Sequence, residues 1–129
     1  MRRARLKPHE VTRVILTATM SPEHVSVDDL REQRRADGFL DLGWHYYVDR
    51  NAMVHFGVPV TERGSYFARY GSTSVVILVE GDGSHSNEQF LAIARLIETV
   101  QREYPNAVPT LHSELFRGTN PRFALGDIL

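Results

Sequence analysis

The side chains most able to do chemistry in this sequence are imidazoles. His24, His45, His55, His85 and His112 could each ligate a metal or move a proton, and Glu114 stands two residues from His112. None of them shows the local H-x-x-x-H spacing that sets two ligands on one helix face. A metal site would therefore have to be assembled by the fold, for instance from His55 with His112, with His85 or Glu114 as further donors. His85 itself lies in the polar loop "GDGSHSN" and reads as solvated. Other chemistries are poorly served. The chain has no cysteine, which excludes thiolate ligands, a cysteine nucleophile and disulfides. No G-x-S-x-G elbow exposes a serine. The "GDGS" turn lacks the lysine and the spacing of a phosphate-binding loop.

The elements that must position these groups can be read from pattern. The chain has 129 residues, 42% of them hydrophobic and 24% charged, which fits one domain spanning 1–129 with one core. No apolar run approaches the roughly 18 residues of a membrane span. The net charge of -1 gives no overall attraction to nucleic acid. The first ten residues form a basic arm with Arg2, Arg3, Arg5 and Lys7, suited to an acidic partner or simply solvated. "VTRVILTAT" is β-branched and reads as a buried strand. Ser26 with Asp29 makes a capping box, Val27 and Leu30 give a thin apolar stripe, and Gly38 ends a surface helix. "WHYYVD" and "MVHFG" read as a hairpin. "SVVILVE" is aliphatic enough for a central strand buried on both faces. Ser86 with Gln89 caps a long helix whose Phe90, Ile93, Ala94, Ile97 and Val100 share one face. Pro105 and Pro109 close that helix, and "TLH" forms a short last strand. The order predicts an α/β (mixed α+β) fold, a central mixed sheet flanked by helices. The tail "NPRFALGDIL" has no clear place in it.

Several stretches carry a resemblance. "GFLDLGWHYYVDRNAMVHFG" resembles a "GW-D-GYH" segment with its hairpin. "GSYFARYGSTSVVILVEG" is similar to a segment leading into a central strand. "LHSE", followed by "NP", resembles a late "HxE…KxCP" motif, and "LKPHEVT" an arm before the first strand. Together they resemble the zinc N-acetylmuramoyl-L-alanine amidase family, which includes the lysozymes (amidases) of the T-odd coliphages and the peptidoglycan recognition proteins. The resemblance covers nearly the whole chain and implies an amidase fold in which zinc polarises a carbonyl and activates water.

Carried over position by position, the resemblance implies a degenerate site. The first-strand histidine falls within "ILTAT", which has none. The late histidine falls at His112. The late cysteine falls at Asn120, a weak donor to zinc. The assisting lysine falls at Gly118 and the assisting tyrosine at Trp44; a further histidine falls at Tyr66. No bound zinc and no catalytic residue are expected on this basis. Trp44, Tyr66 and Arg69, with the basic arm, are then the candidate binding residues, with Trp44 and Arg69 expected at the surface. The resemblance implies a phage protein in the cytoplasm of an infected bacterium, acting as a protein-binding regulator, with a single-subunit phage RNA polymerase as a candidate partner. The alternatives are an active zinc amidase with an atypical metal site, and a non-catalytic peptidoglycan binder.

Overall fold

A computed structural model describes residues 4–129. Strand β1 (Arg13–Ala18) and strand β4 (Ser74–Val79) run parallel in the middle of a five-stranded sheet of order β3-β2-β4-β1-β5. Strand β2 (Tyr46–Val48) lies parallel to β4 and turns back antiparallel into β3 (Val54–Phe56). Strand β5 (Val108–Leu111) lies parallel to β1 on the other edge. The expected mixed sheet is therefore present, and the two aliphatic stretches are its centre because they are buried on both faces.

Strand alternation sorts the core into two layers. Val14, Leu16, Val75, Ile77 and Val79 face helix α2 (Asn87–Glu103), whose Ile93, Ile97 and Val100 pack on them. Ile15, Val76 and Leu78 face the other way, against Leu30 of helix α1 (Val27–Ala36), with Trp44 and Tyr47. Both capping boxes form: Ser26 with Asp29 at α1, and Ser86 with Gln89 at α2. Leu30 is the buried residue of α1, as its thin stripe predicts. No helix among the described residues is long and apolar enough to cross a membrane.

The last strand differs from expectation. It begins at Val108 and contains Pro109, which is tolerated because β5 is an edge strand and one missing N–H costs no inner ladder bond. His112 is not its end but the start of a one-turn helix α3 (His112–Leu115), where Glu114 accepts from the Leu111 N–H at 2.8 Å. The tail finds its place through Phe123, which is buried against Phe90 and His85 on the α2 side. The basic arm is docked where it is described: Arg63 N–H donates to Ala4, Leu6 N–H donates to Thr61, and Leu6 is buried. Arg5 and Lys7 are exposed, and Arg2 and Arg3 lie outside the described residues.

One buried carboxylate ties the upper loops together. The Glu80 side chain is 0% exposed and accepts from the backbone N–H groups of Val25 and Arg50, with His24 Nδ1 3.0 Å away. It thereby joins the end of β4, the approach to α1 and the turn between β2 and β3. Replacing Glu80 with Ala strands two partly buried N–H donors, so the unfolding free energy should fall by about 2 kcal/mol. Urea denaturation measures this directly; a loss within experimental scatter would remove Glu80 from that role.

Candidate functional site

The carried-over positions do meet. Thr17, near the end of β1, points to the α1 side and is 1% exposed. Its Oγ1 is 2.8 Å from His112 Nδ1 and 3.4 Å from Asn120 Oδ1. The Asn120 amide is in turn bound to the β1 backbone: its Oδ1 accepts from Ala18 N–H at 2.8 Å, and its Nδ2 donates to the Ala18 carbonyl at 3.0 Å. One proton arrangement satisfies the trio, with His112 Nδ1–H donating to Thr17 and the Thr17 hydroxyl donating to Asn120. The His112 ring stands edge-on to Phe67 and Phe116, each 5.1 Å away. Burial pushes its pKa below the ordinary histidine value.

This donor set does not fit a zinc ion. Zinc is held by thiolate, imidazole and carboxylate, and here one imidazole is accompanied by a hydroxyl and an amide. The hydroxyl and the amide are also engaged with each other, the ring and the strand. Among the described residues no group of three or more His, Asp or Glu side chains is placed to hold a metal. The candidates for rebuilding a site lie apart from His112. His55 is on β3, the far edge of the sheet from β5, roughly 19 Å away at ordinary strand spacing, and is paired with Asp49 at 2.8 Å. Glu114 caps its own helix. His85 is not solvated at its nitrogens: both are buried without a hydrogen-bond partner among the described residues, against Gly81, Phe90 and Phe123. Nor is Thr17 placed as a nucleophile, since its hydroxyl is buried beneath His112 and Asn120.

Asn120 of the trio lines an open cleft of about 330 Å³. The cleft forms at the C-terminal ends of β1 and β4, where parallel sheets commonly bind ligands. Ala18, Thr19, Leu78 and Asn120 line one side, and Leu30, Gln33 and Tyr66 another. Met20 on its rim holds a left-handed backbone (φ 56°), a conformation that costs energy in a residue with a side chain. Beside the cleft lies a recess of about 210 Å³ lined by Leu30, Gln33, Arg34, Asp37, Trp44 and Tyr66.

The other expected site residues divide. Trp44 is a correction: it is 1% exposed, not a surface contact. The hairpin closes over it, with Gly57 so near that a Cβ there would lie 2.6 Å from the indole ring. Tyr66 is half-buried, and burial raises its pKa against the opposing pull of Arg34. Arg69 is exposed on the short 3-10 turn Ala68–Tyr70. Gly118 is exposed, and a Cβ there would meet nothing within 4 Å. Sequence reasoning missed Gln33, Arg34 and Asp37. Their signal was present: with Leu30 they follow the i, i+3, i+4, i+7 spacing of one helix face.

Comparison with known proteins gives the family. No family model matches the chain. The endolysin of Enterobacteria phage K11 is 30% identical over 117 residues, covering 84% of this chain and 78% of that protein. This chain belongs to the phage endolysin family. The endolysin of Escherichia phage T7 is 29% identical over 136 residues, covering 97% of this chain and 90% of its own. Among solved structures, the Ph2119 endolysin of a Thermus scotoductus bacteriophage superposes with a TM-score of 0.84 at 22% identity, covering 97% of this chain and 86% of that one. The N-acetylmuramoyl-L-alanine amidase LysC from Clostridium intestinale gives 0.83 at 15% identity, covering 99% and 91%. The peptidoglycan recognition proteins LCa and LCx, solved with tracheal cytotoxin bound, give 0.78 at 16% identity, covering 94% and 81%. The fold of this endolysin relative is thus the amidase and peptidoglycan-recognition fold.

Burial holds His45, His85 and His112 below the ordinary histidine pKa. The unfolded chain therefore takes up protons near pH 6.5 before the folded one does. Stability from these groups is complete above that pH and is lost as pH falls below it. The urea midpoint should drop between about pH 7.5 and about pH 5.5, and His85→Gln should flatten the drop. A midpoint that rises on acidification would reverse the sign assigned here.

Proposed function

We propose that this endolysin relative has given up zinc hydrolysis and works as a binding protein, with peptidoglycan fragments as ligands of its cleft. The observation that carries this is the hydrogen-bonded Thr17–His112–Asn120 trio, with His112 and Asn120 at two carried-over ligand positions and Thr17 within the segment 15–19 where the third falls. The cleft supports the choice of ligand: it is open and lined by uncharged polar and apolar groups, with Tyr66 offering an aromatic surface. Endolysin relatives and a fold neighbour solved with tracheal cytotoxin bound point the same way.

The purified chain should be retained by insoluble bacterial cell walls without releasing soluble muropeptides. Incubated with zinc and desalted, it should carry far less than one zinc per chain. Near-stoichiometric zinc together with muropeptide release would instead establish the active amidase with an atypical metal site.

A second reading is favoured by the arm. Residues 4–6 are fixed along 61–63, which sets exposed Arg5, Lys7 and Arg63 around one docked segment. A basic surface of this kind suits an acidic protein partner, and a phage RNA polymerase is the specific candidate. Deleting residues 1–7 should weaken such a complex about tenfold or more at low salt. Polymerase binding measured with and without the segment decides it, since equal affinities would exclude the arm.

A further inference from the structure

The recess beside the cleft contains a donor that the protein itself does not use. Trp44 is 1% exposed, and its indole Nε1 has no hydrogen-bond partner among the described residues. Buried donors are nearly always satisfied, so an orphan in the wall of a cavity marks the place of an acceptor. The recess, at about 210 Å³, is smaller than the roughly 300–1,000 Å³ of pockets that hold a whole small ligand. It shares Leu30, Gln33 and Tyr66 with the larger cleft. Its size and position suit one residue-sized group of a ligand that extends into the cleft.

Charge specifies that group further. Arg34 is held in place rather than left free: Nε donates to the Asp41 carbonyl at 3.2 Å and Nη2 to Ser65 Oγ at 2.6 Å, and the guanidinium lies 3.7 Å over the Phe39 ring. Its charge is balanced by the Asp41 carboxylate at 3.6 Å. Gly43 makes this possible, because a Cβ there would come within 2.6 Å of Nη2. With Arg34 balanced, the charge remaining in the recess is the carboxylate of Asp37. It sits at the C-cap of α1, the negative end of the helix dipole, where a cation is favoured. The recess therefore offers one buried N–H donor and one accessible carboxylate, with Leu30 as an apolar wall. A sugar hydroxyl could donate to this carboxylate but would leave its charge unbalanced, whereas an ammonium would neutralise it and a ligand carboxylate would be repelled.

We propose that this recess is a subsite for the free amino terminus of a peptide. The carbonyl oxygen of the first residue accepts from Trp44 Nε1, and the α-ammonium faces Asp37. This rests on the reading of the cleft as a ligand site. Within that reading it selects peptidoglycan peptides already released from their sugar, whose alanine amino group is free, over peptides still joined through an amide.

The chain has one tryptophan, so its fluorescence reports on the recess directly. Alanyl-alaninamide should shift the Trp44 emission saturably. N-acetyl-alanyl-alaninamide should bind about fivefold more weakly or worse, and N-acetylglucosamine should leave the emission unchanged. Asp37→Asn, an exposed change that leaves the core alone, should erase most of the preference for the free amine, a loss of about threefold to fivefold for an exposed ion pair. Calorimetry on Trp44→Phe should show roughly tenfold weaker binding of the free amine. Equal response to the free and acetylated peptides, a preference that survives Asp37→Asn, or no response to either peptide would each overturn the proposal. Cell-wall retention with a silent Trp44 would sink the recess alone. A peptide response without cell-wall retention would sink the cell-wall reading and leave the recess standing.

Discussion

The site is organised by the way the end of β1 is completed. Strand β5 pairs with β1 only along Arg13 to Leu16 and then leaves as α3. The next backbone groups on that edge, the N–H and C=O of Ala18, would face the cleft unpaired. The Asn120 amide takes both, acting like one more peptide group in the ladder. This bond pair holds the 112–120 segment over Thr17 and fixes where His112 stands. A metal at this point would have to displace it. Two neutral hydrogen bonds contribute about 1 kcal/mol each, whereas a bound zinc can contribute about ten or more. The link is much weaker than a metal, and further contacts support it: Phe67 and Phe116 stack at 5.3 Å beside His112, with Tyr70 edge-on to Phe116.

Glu80 does a similar thing just after β4, where it holds Val25 of the cleft lining. A buried carboxylate is costly unless fully bonded, and this one has the Val25 and Arg50 N–H groups and His24 around it. Gln89 adds to the knot by donating to the carbonyls of Asp49 and Glu80. The entry to α1, the hairpin turn and the start of α2 are fixed without reference to the trio. The walls built on these elements are thus set by hydrogen bonds and packing, while Asn120 completes the side next to β1.

The fold was legible in the sequence wherever periodicity or capping chemistry carried it. Both capping boxes, the two aliphatic strands and the buried face of α2 are direct consequences of residue type and spacing. What was not legible came from contacts distant in sequence. Trp44 sits in the irregular stretch before β2, where no alternation says which way a side chain points, and it is Gly57 across the hairpin that closes over it. Pro109 looked like a terminator because the edge position of β5 is a property of the whole sheet. His85 looked solvated because the tail that covers it, through Phe123, has no pattern of its own. The trio was legible only as two unconnected positions and the segment 15–19; nothing local announces that Asn120 bonds to Ala18.

Helix α1 shows how a face can be misread in one direction only. Its thin apolar stripe of Val27 and Leu30 suggested a solvated surface helix, and for Asp28 and Glu32, exposed at its start, that is correct. Yet Gln33, Arg34 and Asp37 follow Leu30 along one stripe and line the recess. A helix resting on a core needs an apolar stripe, but a helix that walls a cavity needs only one anchoring residue and is free to be polar elsewhere on the same face. The thinness of the stripe is itself the trace of the cavity. Fuller apolar packing by α1 would have filled the space that Trp44 Nε1 and Tyr66 now share with the cleft.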